Sequence, residues 1–206
     1  GGGVPAWLKP ARALHNLGLM FENIAEWDGA RDSYNAAVEA DPTDGDALFS
    51  LGVLYGKAGQ PAAAEHAYQA AVKAQPEHAS AWYNLGVVQR DAGKSADAEQ
   101  SYRTATKLNP SHKDATNGLA TLLWSKGQTE ESERMFMQAL SHHPDDATLH
   151  NNLGGLYAKL GRLQEAESYY RTALQLDPEH EYANANLGAL LKAKGSRQRS
   201  SKDGEL

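Results

Sequence analysis

Asparagine side chains recur along the chain at intervals of 34 residues or twice that number. They are Asn16, Asn84, Asn152 and Asn186, and Ser50 and Gly118 occupy the two remaining places. A carboxamide carries both a donor and an acceptor, which is also the hydrogen-bonding pattern of a peptide unit. Each such bond contributes about 0.5–1.5 kcal/mol net. The row therefore predicts non-covalent binding of an extended polypeptide, largely irrespective of its side chains.

Residues beside this row could make the binding selective. The aromatic side chains could form pockets for side chains of a partner, or they could be ordinary half-exposed aromatics. The flanking candidates are Phe49, Tyr83, Asn117, Asn151, Trp124 and Arg90. Together with the four asparagines of the row, they make up the predicted binding site.

The titratable and metal-ligating residues do not form a catalytic or metal pattern. The chain has eight histidines and no cysteine, so Cys-ligated zinc and thiolate nucleophiles are excluded. His78, His112 and His180 follow the 34-residue spacing, and the adjacent His142 and His143 do not share a helix face. No phosphate-binding glycine loop and no Gly-x-Ser-x-Gly elbow is present. We predict no catalytic residue, no metal and no cofactor in this segment.

The bulk composition restricts the class of partner. The 206 residues carry a formal net charge of −6, which disfavours binding to a nucleic-acid phosphate backbone. No apolar run reaches the roughly 18 residues needed to span a bilayer, so direct membrane insertion is not expected. The compartment stays open.

The elements that position these residues follow from an internal repeat. Five prolines lie 34 residues apart: Pro42, Pro76, Pro110, Pro144 and Pro178. We divide the chain into units at 11–44, 45–78, 79–112, 113–146 and 147–180, and number the positions 1 to 34 within each. Positions 4, 7, 8 and 11 form a stripe on one face of a first helix, and glycine at position 15 ends it in most units.

A second helix follows in each unit. Its markers are small residues at positions 20 and 27 with an aromatic between them at position 24, and proline at position 32 stops it. One helix pair has too small a core to stand alone, so neighbouring pairs must stack. Unit 113–146 diverges most, with Thr116, Ala120 and Ser132 at marker positions, and we expect looser packing there.

These residues identify a known repeat class. Trp82-x-x-Leu85-Gly86, followed by Ala98, Tyr102, Ala105 and Pro110, resembles the tetratricopeptide repeat, and the resemblance covers residues 11 to about 194. It implies an all-α, right-handed superhelical solenoid of antiparallel helix pairs. In this family positions 2, 6, 9 and 13 line a concave groove, so the asparagines would face it. Asparagine is also common at position 6 of the family consensus, which offers an alternative reason for the row.

The resemblance also bears on the type of partner. Co-chaperones of this family clamp a C-terminal carboxylate with lysine at position 5 and asparagine at position 9, and neither occurs in this chain. The asparagine row is more similar to the repeat regions of O-linked N-acetylglucosamine transferase and of transmembrane-and-tetratricopeptide mannosyltransferases. In those families the repeats lie beside a separate catalytic part.

The two ends differ from the repeated units. We expect residues 1–10 to form an N-terminal lead, residues 181–194 a C-terminal capping helix, and residues 195–206 a disordered polar tail. Trp7 and Leu8 could pack on the first unit.

Three functions fit these observations. The first is a non-catalytic scaffold that holds an extended peptide or a helix of a partner protein in its groove. The second is a substrate-docking arm of a larger glycosyltransferase, which a catalytic or membrane part in a longer chain would favour. The third is an array that associates with itself, which concentration-dependent mass would favour.

Overall fold

The chain folds into α-helices throughout the part that can be described. The computed structural model describes the backbone of residues 10–203 and the side chains of residues 10–196. Within this range there are eleven helices and no strand, which confirms the all-α prediction. They are α1 (Pro10–Asn23), α2 (Trp27–Ala40), α3 (Gly45–Lys57), α4 (Pro61–Ala74), α5 (Ala79–Asp91), α6 (Ser95–Leu108), α7 (Lys113–Ser125), α8 (Thr129–His142), α9 (Ala147–Lys159), α10 (Leu163–Leu176) and α11 (Glu181–Asp203). None of these helices is long and apolar enough to cross a bilayer.

The helices are grouped in two compact halves, Gly1–Pro110 and Ser111–Leu206. In the N-terminal half α1 packs on α2, α3 on α4 and α5 on α6. In the C-terminal half α7 packs on α8 and α9 on α10, and α11 lies against both α9 and α10. Short turns join the two helices of a pair, so the helices of each pair run antiparallel.

A glycine at position 8 allows the two helices of a pair to approach closely. A Cβ atom added at Gly86 would lie 2.7 Å from the ring of Tyr102, which is closer than real Cβ contacts. The same ring-on-glycine contact occurs at Gly154, where the ring of Tyr170 would lie 2.8 Å from an added Cβ. The aromatic at position 24 therefore fills the space that the missing side chain leaves.

The divergent fourth repeat keeps a buried interface with different residues. Ala120 replaces the glycine, and Phe136, which has no hydroxyl group, replaces the tyrosine; both are fully buried. The hydroxyls of Thr116 and Ser132 donate hydrogen bonds to the carbonyl oxygens of His112 and Ala120. The polar substitutions are thus satisfied inside the core.

The turns explain two recurring residue types. Gly59, Gly93, Gly127 and Gly161 all have φ between 68° and 77°, a left-handed conformation in which glycine ends the first helix. The residue at position 34 caps the first helix of the following repeat, because its side chain accepts a hydrogen bond from the backbone N–H three residues later. The capping residues are Asp44, His78, His112 and Asp146. The recurrent histidines therefore serve as N-caps through Nδ1.

The C-terminal helix differs from the prediction. We expected a helix at 181–194 that ends at Gly195, but α11 continues through this glycine to Asp203. In the preceding repeats the glycine turns left-handed because a second helix packs back on the first, and α11 has no such second helix among the described residues. The predicted tail at 195–206 is thus helical as far as Asp203, and its last three residues lie outside the described range. The predicted lead 1–10, with Trp7 and Leu8, also lies outside it except for Pro10.

Candidate functional site

Four asparagines of the C-terminal half form one hydrogen-bonded chain, which we call the asparagine network. Asn186 Nδ2 donates to Asn151 Oδ1 at 2.9 Å, and Asn152 Nδ2 donates to Asn117 Oδ1 at 3.0 Å. Asn151 Nδ2 donates to Asn152 Oδ1 at 3.3 Å and connects the two bonds. The four predicted residues Asn117, Asn151, Asn152 and Asn186 are therefore brought together.

The network connects successive first helices. In both longer-range bonds an asparagine at position 6 of one repeat reaches position 5 of the preceding repeat, 35 residues earlier. The backbone geometry of stacked helices α7, α9 and α11 thus sets the pairing. Asn151 is the most enclosed member, with 7% of its surface exposed, whereas Asn117, Asn152 and Asn186 are half-buried.

The bonds leave part of each amide available. A carboxamide has two N–H donors and two lone pairs on its oxygen. Asn152 and Asn186 each use one N–H within the network, and the Oδ1 atom of Asn186 accepts no bond from the described residues. Each of these half-buried side chains therefore retains a donor and an acceptor that a bound peptide unit can use.

A depression of about 610 Å³ opens beside the network. Its lining includes Thr148, Asn151, Asn152, Asn186 and Tyr182. Three exposed carboxylates also line it: Asp177, Glu179 and Glu181. The depression combines an amide floor with a negative rim.

In the N-terminal half other side chains make the contact between position 5 and position 6. His15 Nε2 and Ser50 Oγ are 3.0 Å apart, which is the position 5 to position 6 contact of the network. Asn16 is exposed and lines a second depression of about 410 Å³ together with Arg12, Asp44 and Asp46. This half therefore has a related site with a mixed charge.

Asn84 has a different environment from the network asparagines. The preceding repeat has Phe49 at position 5, which cannot accept a hydrogen bond. The amide of Asn84 is half-buried and makes no hydrogen bond with any described residue. Phe49 instead packs on the rings of Tyr68 and His78, with centroids 5.9 Å and 4.7 Å away. Both amide donors of Asn84 therefore remain for a ligand, and Phe49 contributes mainly to the core.

The remaining aromatic candidates pack largely against the core. The ring of Tyr83 lies 6.0 Å from that of Tyr102. Trp124 packs on the core cluster of the C-terminal half, and its ring lies 3.0 Å from the place where a Cβ of Gly155 would be. The indole Nε1–H of Trp124 is buried and has no partner among the described residues. These rings form part of the floor rather than open pockets.

Arg90 is the one cationic candidate. It forms an ion pair with its neighbour Asp91 at 2.8 Å. Partial burial lowers the pKa of Arg90, but the hydrogen bond to Asp91 and nearby groups raise that pKa by more, so the side chain stays charged. Its charge is thus already balanced locally.

The sequence interpretation did not identify the pairing of positions 5 and 6. The signal was present, because Asn117 and Asn152, like Asn151 and Asn186, are separated by 35 residues. It also did not identify the acidic rim, whose members come from the turn after α10 and the start of α11. Within residues 10–196 no group of three metal-ligating side chains is arranged to hold an ion.

Comparison with protein families matches residues 6–204 to the tetratricopeptide-repeat C-terminal domain of cilia and flagella-associated protein 70. A comparison with curated protein sequences gives no significant match. The narrower resemblance to glycosyltransferase repeat regions is not specifically supported by these findings.

Solved structures with the same fold include YrrB, MamA and PilF. YrrB, described as a TPR protein with an unusual peptide-binding site, is 22% identical, with a TM-score of 0.74 over 86% of this chain and 91% of its own. MamA is 23% identical, with a TM-score of 0.73 over 83% of this chain and 93% of its own. PilF of Pseudomonas aeruginosa is 19% identical, with a TM-score of 0.78 over 94% of this chain and 88% of its own. These likenesses establish the tetratricopeptide fold.

Proposed function

The chain belongs to the family of the tetratricopeptide-repeat C-terminal domain of cilia and flagella-associated protein 70, and we propose that it is a non-catalytic scaffold that binds an extended polypeptide of a partner protein. The ligand would lie along the first helices of the repeats, over the position 5 and position 6 side chains. The peptide-binding site that the description of YrrB records is compatible with this use of the fold.

The asparagine network carries the proposal. Its bonds of 2.9–3.3 Å fix the amide planes of Asn152 and Asn186 before any ligand arrives. Binding then costs less side-chain entropy, which is about 0.5–1.5 kcal/mol for each side chain that a ligand would otherwise immobilise. A set of pre-oriented amides with spare donors and acceptors suits a peptide backbone better than a charged or apolar ligand.

The charge of the depression favours a particular kind of peptide. Asp177, Glu179 and Glu181 line it, and the chain as a whole carries −6. A lysine or arginine of the ligand would gain about 0.2–1 kcal/mol from each exposed pairing of this kind, and salt would weaken it. We therefore expect a partner segment that is extended and basic.

A displayed library of random peptides, selected on the full chain, tests the proposal. Clones that bind are then measured against three variants: Asn84→Ala, Asn186→Ala and the matched control Asn35→Ala on α2. Loss of one hydrogen bond corresponds to a two- to tenfold rise in Kd. We expect that rise for Asn84→Ala or Asn186→Ala and none for Asn35→Ala, with equal circular dichroism. Selected peptides that bind all variants equally would contradict binding through the asparagines.

Exposed apolar residues of α1 and of the turn that follows it favour self-association as a second candidate. Met20 and Ile24 are 64% and 67% exposed. Position 10, which Met20 occupies, is buried in most later repeats, as at Leu156. Light scattering across a hundredfold range of concentration checks this function. A mass that stays at one chain would eliminate it, and the peptide test above is independent of the result.

A further inference from the structure

Four of the five complete repeats use the same contact to join their two helices. The glycine at position 8 is buried beneath the position 24 tyrosine of the following helix, in four pairs: Gly18 with Tyr34, Gly52 with Tyr68, Gly86 with Tyr102 and Gly154 with Tyr170. Small residues at positions 20 and 27, such as Ala64 and Ala71 around Tyr68, are fully buried in the same interface. The chain thus contains several filled copies of one helix-binding site.

Helix α11 contains the same site, and no helix of the described residues 10–203 covers it. Gly188 occupies position 8 and is exposed, and no described atom lies within 4 Å of the place where its Cβ would be. Leu191, at position 11, is 42% exposed, whereas its equivalents Leu123 and Tyr157 are 0% and 4% exposed. The face formed by Leu187, Gly188 and Leu191, which we call the α11 face, is therefore an unpartnered copy of the interface.

The residues of the α11 face suit a partner helix better than they suit water. A helix of a repeat array that no further helix covers normally has a polar outer surface. Here the exposed residues are Leu191 and Gly188, beside Leu187, which is half-buried against the core. Glycine disfavours a helix interior unless another group needs the space. In the first repeat the hydroxyl of Tyr34 donates a hydrogen bond to Glu22, at position 12, over 2.6 Å. Lys192 occupies position 12 of α11, so its ammonium group could donate to the phenol oxygen of a tyrosine on the partner helix.

We propose that the α11 face binds an amphipathic helix of a partner protein, which carries an aromatic residue with a small residue four positions before it and another three positions after it. The filled copies of the interface in this chain define that pattern. The site differs from the peptide-binding site of the asparagine network, because Gly188 and Asn186 lie about 200° apart around the helix axis at 100° per residue.

A peptide with the sequence of α4, residues Pro61–Ala74, is a suitable probe. It carries Ala64, Tyr68 and Ala71 at the required spacing, together with alanine-rich flanks that favour a helix. The labelled peptide is titrated with the full chain, and binding is followed by fluorescence polarisation and by the gain of helical circular dichroism. We expect saturable binding, and at least tenfold weaker binding of the same peptide with Tyr68→Ala.

The substitution Gly188→Ala separates binding from folding. The added methyl group meets no described atom in the free chain, so the variant should fold and melt at the same temperature or higher. In the complex the methyl would overlap the incoming tyrosine ring, as it would at Gly86, so the Kd should rise severalfold. The rise is limited because Ala120 and Phe136 show that the interface also forms around an alanine. Ala193→Ser, on the other side of α11, is the matched control and should bind as the unsubstituted chain does.

Three results would overturn the proposal. One is equal affinity of the α4 peptide for the unsubstituted chain and for Gly188→Ala. Another is binding that Asn186→Ala weakens and Gly188→Ala does not, which would place the peptide on the network. The third is a dimer of the unsubstituted chain, in the absence of peptide, that Gly188→Ala abolishes; the occupant would then be a second copy.

Discussion

Substitution of Asn151 by alanine should destabilise the chain more than any other single change in the asparagine network. Asn151 is 7% exposed, donates to Asn152 and accepts from Asn186. The variant loses both bonds, at about 0.5–1.5 kcal/mol each, so the free energy of unfolding should fall by about 1–3 kcal/mol. The two groups that lose their partner, Asn152 Oδ1 and Asn186 Nδ2, belong to half-buried side chains and can hydrogen-bond to water instead. The larger free-energy cost of a fully buried unsatisfied group therefore does not apply.

Urea denaturation followed by circular dichroism measures this loss against two reference variants. Asn117→Ala loses a single bond and should cost about 0.5–1.5 kcal/mol. Asn84→Ala loses no hydrogen bond to a described residue, so its effect should stay within about 0.5 kcal/mol. Repeat arrays can unfold in more than one step, so the comparison uses the transition that Asn151→Ala displaces.

The relative stabilities of the three variants test whether the asparagine network forms in solution. If Asn151→Ala costs no more than Asn84→Ala, the hydrogen-bonded chain does not hold in solution, and pre-orientation of the amides is refuted. If Asn151→Ala destabilises as expected, its peptide affinity should also fall, although Asn151 itself is largely enclosed. This second effect would come from the released amides of Asn152 and Asn186.

Three other predictions follow from the helix pairs. Ala25 has φ of 59° where the next four repeats have glycine; Ala25→Gly should raise the free energy of unfolding by about 0.5–1 kcal/mol in urea denaturation, and a lower midpoint would contradict this. Gly86→Ala forces a methyl group toward the Tyr102 ring and should cost about 1–3 kcal/mol in the same assay. Burial raises the pKa of Tyr102 to about 12 from an unfolded value near 10, so its contribution to stability is complete below pH 10 and is lost as the pH rises through 12. Denaturation at pH 9–11.5 should show a decline of at most about 1.4 kcal/mol per pH unit from this group, and Tyr102→Phe should remove it; an unchanged decline in that variant would contradict the assignment.

The repeat and its helix pairs could be predicted from the sequence because their determinants are local. Proline at position 32 and glycine at position 15 stop helices by their own backbone preferences, wherever the rest of the chain lies. The small residue at position 8 and the aromatic at position 24 could also be recognised in the sequence. In the structure they pack against each other, as Gly86 does against Tyr102. Such residues specify the same structure in every repeat.

The features that could not be predicted from the sequence depend on contacts between helices that are separate in the chain. Gly161 and Gly195 occupy the same position, yet only Gly161 has a left-handed φ and ends its helix. The difference lies in α10, which packs back on α9, whereas α11 lacks such a helix within the described range. Likewise the pairing of Asn151 with Asn186 depends on how two separate first helices are aligned, which no single repeat encodes.

The two halves should consequently bind polypeptides with different chemistry, although their backbones repeat the same unit. In the C-terminal half Asn117 and Asn151 at position 5 each accept a hydrogen bond from an asparagine at position 6 of the following repeat, so the amides are fixed by one another and offer a rigid surface to a peptide backbone. In the N-terminal half Phe49 stands beside Asn84, so that amide keeps all its donors and acceptors, and no hydrogen bond to a described residue fixes its plane. A ligand must order Asn84 on binding, and a part of the hydrogen-bond energy is lost in doing so. Replacement of Phe49 by asparagine would supply the missing acceptor, and it should convert Asn84 to the fixed arrangement of Asn152.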